Sequence, residues 1–294
     1  MTPVPGDPAM SAAAFIAAYE PAIRLGAFSS VFAVMALWEI FAPRRRLSVL
    51  KARRWAANLG IVVFNSVLLR FLFPVAGVGM AAFSAEQGWG IFNYLHAPTW
   101  FAVLASIVAL DFIIYLQHVT FHAVPVLWRL HRMHHADLDF DVTTGSRFHP
   151  IEIALSMLIK FAAIVLLGAP VVAVVLFEVI LNAMAMFNHS NVRIPLFIDR
   201  ALRWFIVTPD MHRIHHSVVR RETDSNYGFN LALWDRLLGT YRPHPSAGQE
   251  AMIIGLPEFR DPAQCATFSG MLALPFRGAT RGIPVDLKPR HENS

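Results

Sequence analysis

IEIALSMLIKFAAIVLLGAPVVAVVLFEVILNAMAMFN, residues 151–188, is apolar almost throughout, and its one break is Gly168-Ala169-Pro170. Two apolar stretches of about 18 residues are long enough to be membrane helices, and Gly and Pro mark the tight turn between them. The stretch therefore reads as an antiparallel helical hairpin that spans a bilayer or reaches most of the way across. Lys160 and Glu178 are each nine residues from Ala169. The hairpin places them at one depth, so they are expected to pair, because an unpaired charge there is costly. Pro150 and Glu152 suit the start of the first helix, with His149 at its cap.

Outward from the hairpin, three further spans are expected at about 22–42, 57–81 and 98–120, the second interrupted by Arg70 and Pro74. Arg70 is expected to snorkel to the interface or to pair. The whole chain is 55% hydrophobic and 15% charged, with a mean hydropathy of +0.47, which excludes an ordinary soluble domain. The fold class expected is all-α: a polytopic membrane bundle of four to five membrane helices with a cytosolic histidine-rich helical cap. Residues 1–100 read as N-terminal membrane helices, 101–242 as the catalytic core and 243–294 as a cytosolic tail. No cleavable leader is expected at MTPVPGDPAM, which lacks a basic segment. Cys265 is the single cysteine, so neither a disulfide framework nor a thiolate metal site is available. The net charge of +5 does not imply nucleic-acid binding, because the basic residues flank apolar spans. The segment 43–54 carries six of them, whereas 82–97 carries no Lys or Arg. The positive-inside rule puts the first in the cytosol and the second outside. Counting spans from there brings every histidine-rich segment to the cytosolic boundary of an integral membrane protein.

Ten of the 13 histidines lie between His118 and His216. Eight form three clusters: HVTFH (His118, His122), HRMHH (His131, His134, His135) and HRIHH (His212, His215, His216). Residues i, i+3 and i+4 share a helix face, so each cluster can aim two or three nitrogens at one point. Thr208-Pro209-Asp210 is a helix start for the last cluster, and Pro125 ends the helix of the first. His149 and His189 stand singly between the clusters and are expected to be ligands too. His96, His244 and His291 read as ordinary histidines. The count exceeds what one ion needs and points to two metal ions held by imidazole. HExxH is absent, and so is the Glu-x-x-His motif of soluble di-iron carboxylate proteins. All-nitrogen ligation suits iron, zinc or copper, and of these zinc has no redox chemistry.

More than the clusters agrees with one family. DFIIYLQHVTFH (Asp111 to His122), HRMHHADLDFDVTTGSRFHPIE (His131 to Glu152), NHSN (Asn188 to Asn191), TPDMHRIHHS (Thr208 to Ser217) and NYGFNLALWDRLLGTYR (Asn226 to Arg242) follow in order. The region from about 105 to 242 resembles the fatty acid hydroxylase/sterol desaturase superfamily of membrane-bound, histidine-rich enzymes. The resemblance implies a non-haem di-iron oxygenase that uses O2 to hydroxylate or desaturate a lipid C–H bond. It implies His118, His122, His131, His134, His135, His212, His215 and His216 as ligands, with His149 and His189 as the remaining two. Zinc can stand in for iron in purified protein. With no haem or flavin domain recognisable, electrons are expected from a separate electron-transfer protein. Hydroxylation is favoured, since it needs one hydrogen abstraction where desaturation needs two. A membrane metal-binding or metal-transport protein is the competing reading, and a b-type haem protein a third. A transporter would hold its ligands near mid-bilayer rather than at one boundary.

Several other residues carry open roles. Asp111 shares a face with His118 two turns away, and either orients a histidine of another helix or bonds locally. Asp137, Asp139, Asp141 and Arg147 are either partners of the ligands or a solvated loop. Trp204, Trp234 and Tyr241 fit an interfacial aromatic belt.

Overall fold

A computed structural model describes residues 12–278, and among them there are helices and no strand. The N-terminal residues and the last part of the 243–294 tail, His291 included, lie outside the described residues. Eleven helices position the site: α1 Ala12–Ala18, α2 Glu20–Phe41, α3 Lys51–Leu72, α4 Gly77–Glu86, α5 Ile91–Tyr94, α6 Thr99–Ala123, α7 Pro125–His135, α8 Pro150–Leu167, α9 Val171–Asn188, α10 Leu196–Leu202 and α11 Pro209–His215.

Among the described residues, five helical segments are long and apolar enough to cross a membrane: α2, Lys51–Tyr94, α6, α8 and α9. Their outer faces are studded with exposed apolar side chains, among them Leu37 and Ile40 on α2, Val67 and Phe71 on α3, and Leu104 on α6. Water would not tolerate that surface, whereas lipid chains cover it. The chain is an integral membrane protein of all-helical architecture.

The second span departs from expectation in a way Pro74 explains. α3 starts at Lys51 rather than near 57, and stops at Leu72. Proline removes a donor and disfavours helix at the residue before it, so the chain breaks between α3 and α4. α4 then packs back on α8 and α9. The hairpin turn is as read: Gly168 has φ +67° and ends α8, and α9 restarts at Val171. The turn is crowded by Gly90, where a Cβ would stand 2.0 Å from the Gly168 nitrogen. Arg70 is exposed on the last turn of α3, as a snorkelling side chain requires.

Lys160 on α8 and Glu178 on α9 do pair. Arg24 on α2 adds a second cation, 3.1 Å from the other Glu178 oxygen. Three helices therefore meet at one buried carboxylate. The basic segment after α2 is less a free charge patch than its sequence implies. Arg54 is fully buried between Asp137 and Asp141, and Arg44 reaches Asp210 at 3.1 Å. The loop is clamped onto the end of the bundle that carries the histidines.

Glu178→Gln leaves two cations facing a neutral amide. Such a break costs about 3 kcal/mol. Thermal unfolding in detergent should show a lower Tm with metal content unchanged; normal stability with lost metal would oppose this structural role.

Candidate metal centre

The ligand clusters sit at helix ends for local reasons. The HVTFH pair occupies the last turn and a half of α6, and Pro125 starts a new helix that turns the HRMHH cluster back beneath it. Thr208 caps α11 by accepting the Met211 N–H at 3.3 Å, which fixes the start of the HRIHH helix. His189 is the first residue beyond α9.

Nine histidines converge, all buried, in two groups. His118, His122, His131, His135 and His215 form one, and His134, His189, His212 and His216 the other, with the donor atoms of each group within 4.8 Å of one another. The groups abut: the His135 and His216 rings stack at 4.5 Å between centroids. His149 joins neither. Its Nδ1 accepts the Ile151 N–H at 3.2 Å and caps the start of α8.

Proton accounting shows what the groups are suited to hold. His118 Nδ1 lies 2.8 Å from the Tyr227 carbonyl and His215 Nδ1 2.7 Å from the Ser225 carbonyl. A carbonyl only accepts, so both Nδ1 atoms carry the proton and both Nε2 atoms present bare lone pairs. Those two Nε2 atoms are 3.0 Å apart, and His118 Nε2 is also 3.1 Å from His131 Nε2. In the second group His189 Nδ1 donates to the Ala185 carbonyl, and its Nε2 faces His134 Nε2 and His212 Nε2, each at 3.1 Å. Protonation does not relieve the contact between the bare His118 and His215 nitrogens, because burial holds His215 well below the ordinary histidine range and leaves it neutral at ordinary pH. A cation at the focus does relieve it. With metal–nitrogen bonds of about 2.1 Å, ligands at right angles stand about 3.0 Å apart, against about 3.4 Å in a tetrahedron. The closest of these spacings match the right-angle case, and the donor set of each group could hold a metal ion.

The surrounding residues orient these rings. Glu152 on α8 takes the His131 Nδ1 at 2.6 Å, the carboxylate–histidine arrangement that strengthens a metal ligand. Asn226 adopts φ +53°, a left-handed conformation Asn tolerates, and so aims the carbonyls on either side of it at His215 and His118. Asp235 secures that turn by accepting the Tyr227 and Gly228 N–H groups at 2.7 and 2.8 Å. Asp111 contacts no histidine; it accepts from the Trp234 indole at 2.8 Å and from the Leu231 N–H, tying α6 to the same segment. Trp234 is thus a structural partner. Trp204 and Tyr241 flank the Arg236 guanidinium, and Trp204 remains largely exposed.

Asp137, Asp139 and Asp141 are buried. Burial alone would raise the Asp137 carboxyl, but Arg54 and Arg147 hold it well below the usual carboxylate range. Arg147 donates to the Met133 carbonyl at 2.8 Å, within the HRMHH turn. Glu152 and Arg54 are the functional residues sequence reading missed. Glu152 had been visible only as a helix-start acid, and Arg54 only as loop charge.

A cavity of about 130 Å³ opens beside the first group. His118, His131 and His134 line one end, and Ile114, Phe121, Phe148, Ile153, Leu181 and Phe229 supply apolar walls.

Residues 103–240 match the fatty acid hydroxylase family. This core belongs to the fatty acid hydroxylase superfamily. The chain is 34% identical over 190 residues to an ornithine lipid hydroxylase from Rhizobium tropici, covering 64% of this chain and 56% of that protein. It is 27% identical over 205 residues to an alkylglycerol monooxygenase from Xenopus tropicalis, covering 68% and 43%. A fatty acid hydroxylase from a Lecanicillium species is 31% identical over 166 residues, covering 50% and 45%. The chain thus spans about half the length of these relatives. No solved structure matches it.

Two outcomes follow from the geometry. His149→Ala should cost about 1 kcal/mol, the usual worth of an N-cap, and leave metal content intact by elemental analysis; metal loss would restore it to the ligand set. In metal-free protein, folded His131 and His189 titrate near 3 but unfolded histidine near 6.5. The unfolded state therefore binds more protons below about 6.5, and stability should fall steadily as pH drops from there toward 3. Denaturation midpoints that hold constant between pH 6.5 and 4 would contradict this.

Proposed function

We propose that this protein is a membrane-bound, O2-dependent di-iron hydroxylase acting on a lipid. The observation that carries the reading is the convergence of bare Nε2 lone pairs at right-angle spacing beside a cavity with apolar walls. The ligands are His118, His122, His131, His135 and His215 for one ion and His134, His189, His212 and His216 for the other. Five nitrogens in one group exceed the four of tetrahedral zinc and suit iron, with zinc an available substitute in purified material. Bound iron supplies what the protein itself lacks: O2 activation and the oxidising power to break an unactivated C–H bond.

The chain's own residues do the rest. Ile114, Phe121 and Leu181 hold an alkyl chain and exclude water beside the centre. Glu152 keeps the His131 Nδ1 proton in place, so that its Nε2 stays a ligand. Hydroxylation is preferred to desaturation, in keeping with the relatives, which are a hydroxylase and a monooxygenase. Electrons come from a separate electron-transfer protein. The active site faces the cytosol, a reading supported by the basic 43–54 segment being bonded to the histidine-bearing end through Arg44–Asp210 and Arg54–Asp137.

The test uses purified, iron-loaded protein in lipid nanodiscs with a chemical reductant and isotopically heavy O2. Acylated amino lipids, alkylglycerols and phospholipids are supplied in turn and analysed by mass spectrometry. One heavy oxygen incorporated into one lipid class, abolished in His135→Ala, is expected. Loss of two hydrogens without oxygen uptake would establish a desaturase instead. Iron-loaded, reduced protein that modifies none of them would contradict the proposal.

A further inference from the structure

Inside the apolar cavity lies one polar contact that neither the metal centre nor the helix packing requires. Gln117 precedes His118 on α6, and its Nε2 donates to Ser156 Oγ on α8 at 2.7 Å. Both side chains line the cavity. Gln117 Oε1 is sealed from solvent and has no protein partner. A buried amide oxygen left without a donor is destabilising. If packing alone were at issue, two apolar residues would join these helices more cheaply.

The hydrogen-bonding inventory of the pair defines what it can receive. As placed, the pair offers an acceptor, Gln117 Oε1, and two donors, the second Gln117 N–H and the Ser156 hydroxyl proton. With the amide turned over, the serine donates to Oε1, and the pair still offers an N–H and an oxygen lone pair. Either way the complement is an uncharged group that both donates and accepts. A carboxylate or a phosphate would meet the acceptor with repulsion, and no cationic side chain lines the cavity to receive it. A bare alkyl chain would leave the pair unsatisfied.

We propose that Gln117 and Ser156 form a substrate subsite that holds a hydroxyl or secondary amide of the lipid close to the carbon that is oxidised. This rests on the hydroxylase reading for what happens at that carbon, but not for the binding itself. Ser156 follows Glu152 by one helical turn, and Glu152 holds His131. The subsite therefore lies one turn along the cavity wall from the first metal group. A lipid anchored there by its polar group presents an adjacent carbon to the centre, with its chain between Ile114, Phe121 and Leu181.

The test is a competition. Immobilised full-length protein in detergent, wild type and Gln117→Leu, is offered equal amounts of 1-hexadecanol, N-hexadecylacetamide and hexadecane. Retained probe is measured by mass spectrometry. The ratio of alcohol or amide to hexadecane should fall about tenfold in Gln117→Leu, the order expected for one hydrogen bond in a dry site. Which of the two probes falls identifies the group. Ser156→Ala should lower the same ratio, and serves alone if Gln117→Leu does not fold. Wild type showing no more preference than the variants would overturn the subsite. The readout needs neither metal nor turnover. A failed hydroxylase reading would appear as absent oxidation with the ratio shift intact, and a failed subsite as the reverse.

Discussion

The structure turns on a repulsion. Backbone carbonyls at Tyr227, Ser225 and Ala185 claim the Nδ1 protons of His118, His215 and His189, and so strip the facing nitrogens of any proton to share. The His118 and His215 lone pairs are then pressed to within 3.0 Å of each other in a buried site. A cation between them relieves that repulsion. Much of the remaining chain can be understood as scaffolding that keeps these rings from turning away.

That scaffolding comes from three directions. The segment after α11 supplies the carbonyls, locked by Asn226 and Asp235. The turn after α7 is fixed by a buried array in which Arg54 bridges Asp137 and Asp141 and Arg147 grips the Met133 carbonyl. The membrane helices supply α6, α8 and α9 as rigid posts, and Glu178 with Lys160 and Arg24 ties α9 to α8 and α2. The buried pairs Arg54–Asp137, Arg54–Asp141 and Lys160–Glu178 join segments that are not neighbours along the chain. This is preorganisation in the physical sense: the donors are held in place before any ion arrives.

The sequence made some of this legible and left the rest hidden. Apolar run lengths and the Gly168–Pro170 break delivered the hairpin, and equal spacing from Ala169 delivered the Lys160–Glu178 pair. The i, i+3, i+4 spacing delivered eight of the nine gathered histidines, and His189 was already a candidate as a lone histidine between the clusters. Spacing along one helix cannot report which ring of another helix lies opposite, so the division into five and four was not readable. A histidine before a proline serves equally well as a cap or a ligand, and the structure shows the cap contact of His149 to Ile151. Arg24 joining Glu178, Arg54 reaching Asp137, and the Gln117–Ser156 contact all depend on how helices rotate against one another. Local pattern does not encode that rotation.

The most direct measurement is metal stoichiometry resolved by group. Elemental mass spectrometry would be applied to protein produced in iron-supplemented cells, as wild type, His215→Ala and His189→Ala. The account predicts about two ions per wild-type chain, iron predominating, and about one in each variant, because each substitution empties one group and leaves the other assembled. A folded wild type that binds no metal, or one whose entire complement vanishes with either substitution while the fold persists, would contradict two separately held ions.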